Sequence, residues 1–320
     1  MTRREASIGV LFLGCGGAAA MHSRTLRGIG NVDLFYASRD AARAARYQQE
    51  FGGRAAFGAY DDGLREDRVE VALIATPTVT HRDLALRSLA AGKNVIVEKP
   101  AFMHAADVDV IRDSATRARR RVFVAENYVY KPVTTLIRRC VDDGDLGDVR
   151  FVMLNATRHQ RADGWRGDPA LSGGGALFEA GIHWISFASS LGLVVTGVSA
   201  HRVGDPAGPD RSSLVVFRYA NGAVGVLAHS WELRAPLRGI RLSKVQGLGG
   251  AITFESNGLA AFSTGRHRRV YLTGVRDLLG YRAMWADFLR ALRSGTPPRY
   301  TLGDARRDLD LVGRAQRSMC

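Results

Sequence analysis

The first part of the chain alternates between short, continuously apolar runs and longer segments compatible with amphipathic helices. Residues 8–13 (IGVLFL) form one such run, which ends in glycines and precedes a helix-compatible segment over 18–28. Apolar strands separated by helices predict a doubly wound α/β domain, a parallel sheet covered on both faces with right-handed crossovers. Further strands are predicted at 32–37, 69–75, 94–97 and 121–125, and further helices at 41–51, 81–91 and 105–117.

The pattern changes after Glu126, and short strands predominate from residue 196 to about 273. Asn221-Gly222 lies between two of these strands and is a strong hairpin signal. We therefore predict a second, α+β domain with a largely antiparallel sheet, whose outer face is available for oligomerisation. The predicted boundaries are 1–126 and 127–320. Helices are predicted at 133–141, around His183, at 281–293 and at 304–317, and strands at 149–156, 196–203, 212–219, 222–231, 251–255, 259–263 and 269–273.

Composition narrows the class of protein. The chain of 320 residues is 46% hydrophobic and 24% charged, as in globular domains, with a net charge of +14. Its 45 basic residues include only four lysines, and the arginines are spread along the chain without a nucleic-acid-binding motif, so we expect no nucleic-acid partner. Cys15, Cys140 and Cys320 are too few and too scattered for a disulfide framework, which favours a cytoplasmic location.

A run without formally charged residues, 180–201, contains a histidine, three glycines and several hydroxyl groups. A buried helix and strand explain it better than a membrane span, so we expect no membrane partner. Histidines 81, 183, 201 and 229 lack the spacing of metal ligands, and we expect no metal.

The segment Gly14-Cys15-Gly16-Gly17-Ala18-Ala19 follows the first predicted strand and opens a helix. Glycines there let the backbone bend and approach a pyrophosphate, while the helix N-terminus supplies N–H groups and the positive end of its dipole. Ala19 stands where a third small residue allows close packing. In this context the segment predicts a Rossmann-type dinucleotide site.

The end of the second strand suggests which dinucleotide is bound. NAD sites usually carry Asp or Glu there, whereas this chain has Ser38-Arg39, and a hydroxyl with a guanidinium suits the 2′-phosphate of NADP. We predict NADP(H), with NAD(H) as the alternative. In that case Arg39 is an ordinary surface residue and Asp40 a helix N-cap.

Several later motifs resemble the Gfo/Idh/MocA oxidoreductase family, the relatives of glucose-fructose oxidoreductase and inositol dehydrogenase. The resemblance covers the first domain and the early part of the second. The motifs that carry it are the glycine turn with His22, Thr76-Pro77, His81, Glu98-Lys99-Pro100, Glu126-Asn127-Tyr128 with Pro132, and Trp165-Arg166 through Gly173–His183.

The resemblance implies a Rossmann domain, an open-faced substrate domain and hydride transfer at a carbinol or carbonyl carbon. It implies that Lys99 orients or polarises the reacting oxygen and that His183 acts as general acid or base. The chemistry agrees, because an alcohol losing hydride also needs a base and an ammonium stabilises a developing alkoxide. If the segment is α-helical, Glu179 shares a face with His183. The family often has Asp at position 179 and at position 186, where this chain has Glu179 and Ser186.

The predicted site residues fall into three groups. The catalytic group is Lys99, His183 and Glu179. The substrate group is Tyr128, Arg158, Trp165 and Arg166. The cofactor group is Gly14, Gly16, Gly17, Ala18, Ala19, His22, Ser38, Arg39, Thr76, Pro77, His81, Glu98 and Asn127.

Together these features predict an NAD(P)-dependent oxidoreductase acting on a sugar, cyclitol or related small metabolite, including anionic, phosphorylated or nucleotide-linked forms. We expect a homodimer or homotetramer formed through the second sheet. Two alternatives stay open. One is a redox-assisted glycosidase or lyase with tightly held cofactor, and the other is a non-enzymatic, nucleotide-sensing regulator.

Overall fold

The structure, a computed structural model, describes residues 7–205, 208–234, 239–265, 268–274 and 276–319. Cys320 lies outside these ranges. The chain divides into two units. The first comprises residues up to Ala125 together with Met284–Arg306, and the second comprises Glu126–Ala283 together with the chain from Arg307 onward.

The first unit is built on a six-stranded parallel sheet in the order β3-β2-β1-β4-β5-β6. Strand order reverses beside β1, which pairs with both β2 and β4, and ligands of such sheets bind at this reversal, beyond the carboxyl ends of the strands. Its elements are β1 (Ile8–Leu13), α1 (Gly17–Arg27), β2 (Val32–Ala37), α2 (Ala41–Phe51), β3 (Ala55–Phe57), α3 (Tyr60–Leu64), β4 (Val71–Ile74), α4 (His81–Ala90), β5 (Asn94–Val97), α5 (Ala105–Ala118) and β6 (Val122–Val124).

The second unit contains an eight-stranded mixed sheet in the order β14-β13-β12-β11-β7-β10-β9-β8. All neighbours are antiparallel except β7 and β10, which are parallel. Its elements are α6 (Pro132–Asp142), β7 (Val149–Thr157), α7 (Pro169–Ser172), α8 (Ile182–Ser189), β8 (Val195–Val203), β9 (Ser212–Tyr219), β10 (Val224–Ser230), β11 (Leu242–Gly247), β12 (Ala251–Glu255), β13 (Ala260–Thr264) and β14 (Arg269–Leu272).

Both predicted architectures are confirmed: a parallel α/β sheet is followed by a mainly antiparallel sheet. The hairpin at Asn221-Gly222 is also present, between β9 and β10. Four elements were not predicted from the sequence: β3, α3, α7 and β11. The elements β3, α3 and α7 have three, five and four residues, too few to establish a period. In β11 (LSKVQG) polar residues interrupt the apolar ones, so its strand signal is weak.

The two closing helices are α9 (Tyr281–Ser294) and α10 (Leu302–Arg317). We assigned all of 127–320 to the second domain, but Met284–Arg306 belongs to the first unit. Trp285 Nε1 donates a hydrogen bond to His22 Nδ1 at 2.8 Å, and the rings of Phe288 and Phe123 lie 5.1 Å apart. The apolar stripe of α9 thus packs in the first unit. Within the described ranges, no helix is both long and apolar enough to cross a membrane.

Candidate active site

The glycine turn in the first unit requires glycine at position 14 for two reasons. Gly14 has φ +100°, a backbone conformation that is strained for any residue with a side chain. A Cβ at this position would lie 2.8 Å from the carbonyl oxygen of Ala75. The amide of Gly14 donates to Ala37 O at 2.9 Å, so the turn is held against the end of β2. The close approach of two chain segments fixes the turn at the carboxyl end of the sheet.

Gly16 and Gly17 have a different environment. A Cβ at either position would meet no heavy atom of the described residues within 4 Å. Helix α1 begins at Gly17, its N-cap Gly16 provides no side-chain hydrogen bond, and its first turn carries no acidic residue. Free backbone N–H groups beside open space are what a pyrophosphate needs, so this turn fits a dinucleotide. Tyr47 Oη donates to Gly16 O at 3.0 Å and fixes the turn from α2, a contact that the sequence analysis did not anticipate.

Positive charge lies near this turn. Burial raises the pKa of the Cys15 thiol to about 11, against the opposing charges of Arg43 and Arg46. Cys15 is therefore a protonated, buried thiol within the turn. The two arginines, which we did not single out from the sequence, add a positive field that suits an anionic cofactor.

The segment after β2 carries the residues predicted to select the cofactor. Ser38 Oγ accepts a hydrogen bond from Asp40 N at 3.2 Å, and Asp40 caps α2 by accepting from Arg43 N at 3.1 Å. Arg39 is exposed and lies close to Tyr60, whose hydroxyl pKa is raised by burial and partly lowered by the charge of this arginine. Asp40 is thus an N-cap, and Arg39 is an exposed residue beside Tyr60.

His22 and Glu98 form a buried network with Trp285. His22 Nε2 and Glu98 Oε1 are 2.7 Å apart, and Glu98 Oε2 accepts from the backbone N–H of Lys99 at 3.0 Å. The indole of Trp285 can only donate, so His22 Nδ1 accepts and the ring proton lies on Nε2, facing Glu98. Burial opposes ionisation of Glu98, but the His22 hydrogen bond and the Lys99 charge outweigh it and keep the Glu98 pKa below its usual range.

Two of the predicted cofactor ligands belong to this network. His22 is 0% and Glu98 6% exposed, and they bond to each other. Because Glu98 accepts from the backbone N–H of Lys99, the network holds the segment that carries Lys99. Lys99 itself is partly exposed, lies two residues after the end of β5, and precedes Pro100 through a cis peptide bond.

His81, another predicted cofactor ligand, is also buried and hydrogen-bonded within the first unit. Its Nδ1 lies 3.0 Å from the carbonyl oxygens of both Pro100 and Ala101, and its Nε2 lies 2.9 Å from Thr76 O. Burial lowers the pKa of the imidazole, despite the opposing carbonyl contacts. His81 therefore ties the loop after β4, with Thr76 and Pro77, to the loop that contains Lys99. The Thr76 side chain bonds that of Thr80, their oxygens 2.7 Å apart.

In the second unit, His183 is paired with a carboxylate that the sequence analysis noted only as part of a motif. His183 Nδ1 lies 2.7 Å from Glu126 Oε1, and the Glu126 side chain is 1% exposed. A carboxylate only accepts, so Nδ1 carries the proton and the lone pair lies on Nε2. The same Glu126 oxygen accepts from Tyr128 N at 3.0 Å. This arrangement orients an imidazole as a general base.

Tyr128 packs directly on this pair. Its ring stacks on that of His183, with centroids 4.3 Å apart and planes at 13°, and the ammonium of Lys131 lies 4.4 Å from its centre. Lys131 is buried, which lowers its pKa to about 8, although the Glu255 charge opposes this. Tyr128 thus contacts the candidate base. Asn127, predicted as a cofactor ligand, is buried and donates to Leu279 O at 2.7 Å.

Glu179 lies in a π-helical turn, Leu177–Gly181, that directly precedes α8. Glu179 and His183 would share a face only in a regular α-helix, and the wider turn changes that geometry. Glu179 is 3% exposed and accepts from Arg166 Nε at 3.0 Å. The Arg166 guanidinium lies 4.6 Å from the centre of the Trp165 ring. Glu179 therefore anchors the predicted substrate loop, and Arg158, also predicted there, is exposed and bonds Gln160.

Comparisons with known proteins agree with both units. The family model described as "Oxidoreductase family, NAD-binding Rossmann fold" matches residues 8–126, and that described as "GFO/IDH/MocA C-terminal domain" matches residues 134–247. The chain belongs to the Gfo/Idh/MocA oxidoreductase family. The resemblance inferred from the motifs is confirmed, and the first unit is an NAD-binding Rossmann domain.

Relatives cover part of the chain in sequence and nearly all of it in fold. The trans-1,2-dihydrobenzene-1,2-diol dehydrogenase of Mus musculus is 31% identical over 209 residues, 62% of this chain and 60% of that protein. The dTDP-3,4-didehydro-2,6-dideoxy-alpha-D-glucose 3-reductase of Streptomyces violaceoruber is 37% identical over 158 residues, 48% of this chain and 45% of that protein. The chain thus spans about half to three fifths of the length of these curated relatives.

Among solved structures, levoglucosan dehydrogenase in complex with NADH aligns with a TM-score of 0.87 and 21% identity, covering 98% of this chain and 96% of that one. An oxidoreductase domain protein from Kribbella flavida gives a TM-score of 0.87 at 20% identity, covering 98% and 97%. Both share the fold of this chain.

Proposed function

We propose that the protein is an NADP(H)-linked oxidoreductase that transfers a hydride to or from a carbonyl or alcohol carbon of a sugar, cyclitol or related small metabolite. The observation that carries the proposal is the Glu126–His183 pair, a histidine with its Nδ1 proton fixed by a buried carboxylate. Such an imidazole suits proton transfer at neutral pH. It occurs in a chain that also has a Rossmann domain and a lysine after β5.

In this proposal the bound nicotinamide supplies the hydride acceptor or donor. The Lys99 ammonium hydrogen-bonds the reacting oxygen and stabilises negative charge on it. His183 Nε2 accepts the hydroxyl proton in the oxidative direction and returns it in the reductive one. Glu126 holds the imidazole in the required tautomer, and Tyr128 restricts its rotation by stacking.

The preference for NADP(H) is proposed from the end of β2. The chain has no carboxylate at Ala37-Ser38-Arg39 to bind the ribose hydroxyls, and Arg39 with Arg43 adds two guanidinium groups after the strand. A 2′-phosphate would neutralise part of that charge. Comparative kinetics with NADPH and NADH tests this directly, and a large preference for NADH would contradict it.

The substrate class is proposed from two lines of support. The relatives include a sugar-nucleotide reductase and a diol dehydrogenase. In the second unit, Arg166 and Trp165 form a basic, aromatic loop anchored by Glu179. Arginine and aromatic groups suit a hydroxylated or anionic small molecule.

Oligomerisation through the second sheet remains part of the proposal. Alternate residues on its outer face are large, apolar and exposed, a pattern expected of a surface that another copy covers. These residues are Phe151, Met153, Leu214, Leu242 and Phe262. Sedimentation of the wild type against Met153→Lys would measure the oligomer, and a wild-type monomer would contradict the proposal.

The function is tested with Lys99→Met and His183→Asn. We expect each to lower kcat by at least about 10²-fold while cofactor binding stays within a few-fold, because both groups act on the substrate oxygen or its proton. Arg117→Met, which removes an exposed positive charge on α5, is the control. Near-normal turnover in both variants would refute the assignment. Cofactor that co-purifies and is never consumed would favour the redox-assisted alternative, and the absence of turnover on any carbonyl would favour a regulator.

A further inference from the structure

Four buried polar atoms on one side of the second sheet have no hydrogen-bond partner among the described residues. They are Ser213 Oγ, His229 Nδ1, Trp231 Nε1 and Arg241 Nε. Their residues are between 2% and 8% exposed. Buried polar atoms are almost always hydrogen-bonded, so four such atoms in one region point to a ligand that pairs with them.

Strand register places three of these residues in one row. His229 on β10 lies opposite Ser213 on β9 and opposite Ala156 on β7. Continuing the antiparallel pairing of Lys244 with Met153 places Arg241 opposite Ala156, and Arg241 Nη1 donates to Thr157 O at 3.3 Å. Arg241 and His229 are two strand spacings, or roughly 10 Å, apart, and the residue between them on β7 is the small Ala156.

Other contacts hold Trp231 and Arg241 in place. Trp231 follows β10 and packs on Ala176 and Ala180, so its indole is fixed. Arg241 Nη2 donates to Asn257 Oδ1 at 2.5 Å, and with Nη1 also bonded the guanidinium leaves Nε for a further partner. Fixed donors of this kind bind a ligand without losing side-chain entropy.

The charges around His229 favour an anion. Burial lowers the pKa of His229 to about 3, helped by the charges of Arg158, His183 and Arg241 and opposed by Glu179. The imidazole is therefore neutral near pH 7. The Glu179 charge is already paired with Arg166, and the buried Glu255 opposes part of the charge of Arg241, which leaves a modest excess of positive charge from Arg158 and Arg241. The influence of His183 on His229 shows that the row is close to the proposed base.

We propose that Ser213, His229, Trp231 and Arg241 form a substrate subsite that binds the carboxylate and an adjacent hydroxyl of a sugar acid. Trp231 and Arg241 supply donors only, which suits a carboxylate, whereas Ser213 and the neutral His229 can donate or accept, which suits a hydroxyl. A modest excess of positive charge matches one carboxylate better than a phosphate dianion. The proposal rests on the proposed function and defines its substrate class.

The test compares D-glucuronate with D-glucose, which differ only in carrying a carboxylate or a hydroxymethyl group at C6. With saturating NADP⁺ we expect kcat/KM for D-glucuronate to exceed that for D-glucose at least tenfold. Arg241→Gln should remove most of that ratio and weaken D-glucuronate binding in calorimetry at least tenfold. Trp231→Phe keeps the ring but loses the N–H, and provides a second variant should Arg241→Gln unfold. Arg218→Gln, on the opposite face of the same sheet, is the charge-matched control.

The outcomes separate this inference from the proposed function. Equal use of the two sugars, tighter binding of D-glucose 6-phosphate, or equal effects of Arg241→Gln and Arg218→Gln would overturn the sugar-acid subsite while leaving an oxidoreductase. Binding of D-glucuronate that depends on Arg241, without hydride transfer to NADP⁺ from any sugar or polyol, would support the subsite and refute the proposed function.

Discussion

Glu126 fixes the tautomer and the orientation of the His183 imidazole, although the sequence motifs drew attention to His183 first. It is almost completely buried and accepts both from His183 Nδ1 and from the backbone of Tyr128. A buried carboxylate in this position fixes the tautomer and stabilises the imidazolium that forms when the base takes a proton. Glu126 is thus a positioning residue that acts through His183.

Replacing Glu126 by Gln should lower kcat at least about tenfold, because the amide cannot supply the charge that stabilises the imidazolium. For the same reason the ionisation seen in the pH profile of kcat/KM should move to lower pH, which a merely structural role would not cause. Glu126→Asp, which keeps the charge, should restore part of the activity. An unchanged pH profile in Glu126→Gln would contradict this role.

At the scale of elements, the turn between β1 and α1 uses its glycines for different purposes. Gly14 is needed by the fold, because its φ is +100° and Ala75 O is close. Gly16 has extended backbone angles and open space around its Cα, so its absent side chain serves the ligand.

Gly14→Ala should therefore lower the stability of the fold, whereas Gly16→Ala should weaken cofactor binding. We expect Gly14→Ala to destabilise the protein by about 2 kcal/mol or more, through strain and the close contact. Gly16→Ala should leave the melting temperature of the cofactor-free protein nearly unchanged while weakening NADPH binding at least tenfold, because its methyl group occupies the pyrophosphate space. Thermal unfolding and fluorescence titration measure the two quantities. Normal NADPH affinity in Gly16→Ala would exclude this turn as the binding site.

The π-helical turn before α8 shows what element-level patterns miss. Spacing of four residues suggested one helical face for Glu179 and His183, but Leu177–Gly181 is wound more widely than an α-helix. The carboxylate that pairs with His183 is Glu126, which lies 57 residues away along the chain. Local periodicity contains no information on that pairing.

At the scale of the whole molecule, the buried neutral His229 links stability to pH. Its folded-state pKa of about 3 lies below the value of about 6.5 expected in the unfolded chain. Between these values the unfolded state binds one more proton, so the free energy of unfolding falls as pH falls, by up to about 1.4 kcal/mol per pH unit.

His229→Gln should reduce this dependence. Between pH 6.5 and 5, we expect the free energy of unfolding of the wild type to fall more steeply than that of the variant, by about 1 kcal/mol per pH unit. Denaturant titrations across this range measure both slopes. The exposed His201→Gln serves as the control and should keep the wild-type slope. Equal slopes for wild type and His229→Gln would show that His229 takes up its proton in the folded protein.

The sequence by itself determined the two architectures, the glycine turn, the family and the position of Lys99, because these depend on local period, turn chemistry and short motifs. The tertiary structure decided what lies far apart along the chain. It placed His22, Glu98 and His81 in buried hydrogen-bond networks, paired His183 with Glu126, brought α9 into the first unit, and aligned Arg241 with His229 and Ser213 across four strands. Burial and strand register create these arrangements, and neither is encoded in the spacing of the residues concerned.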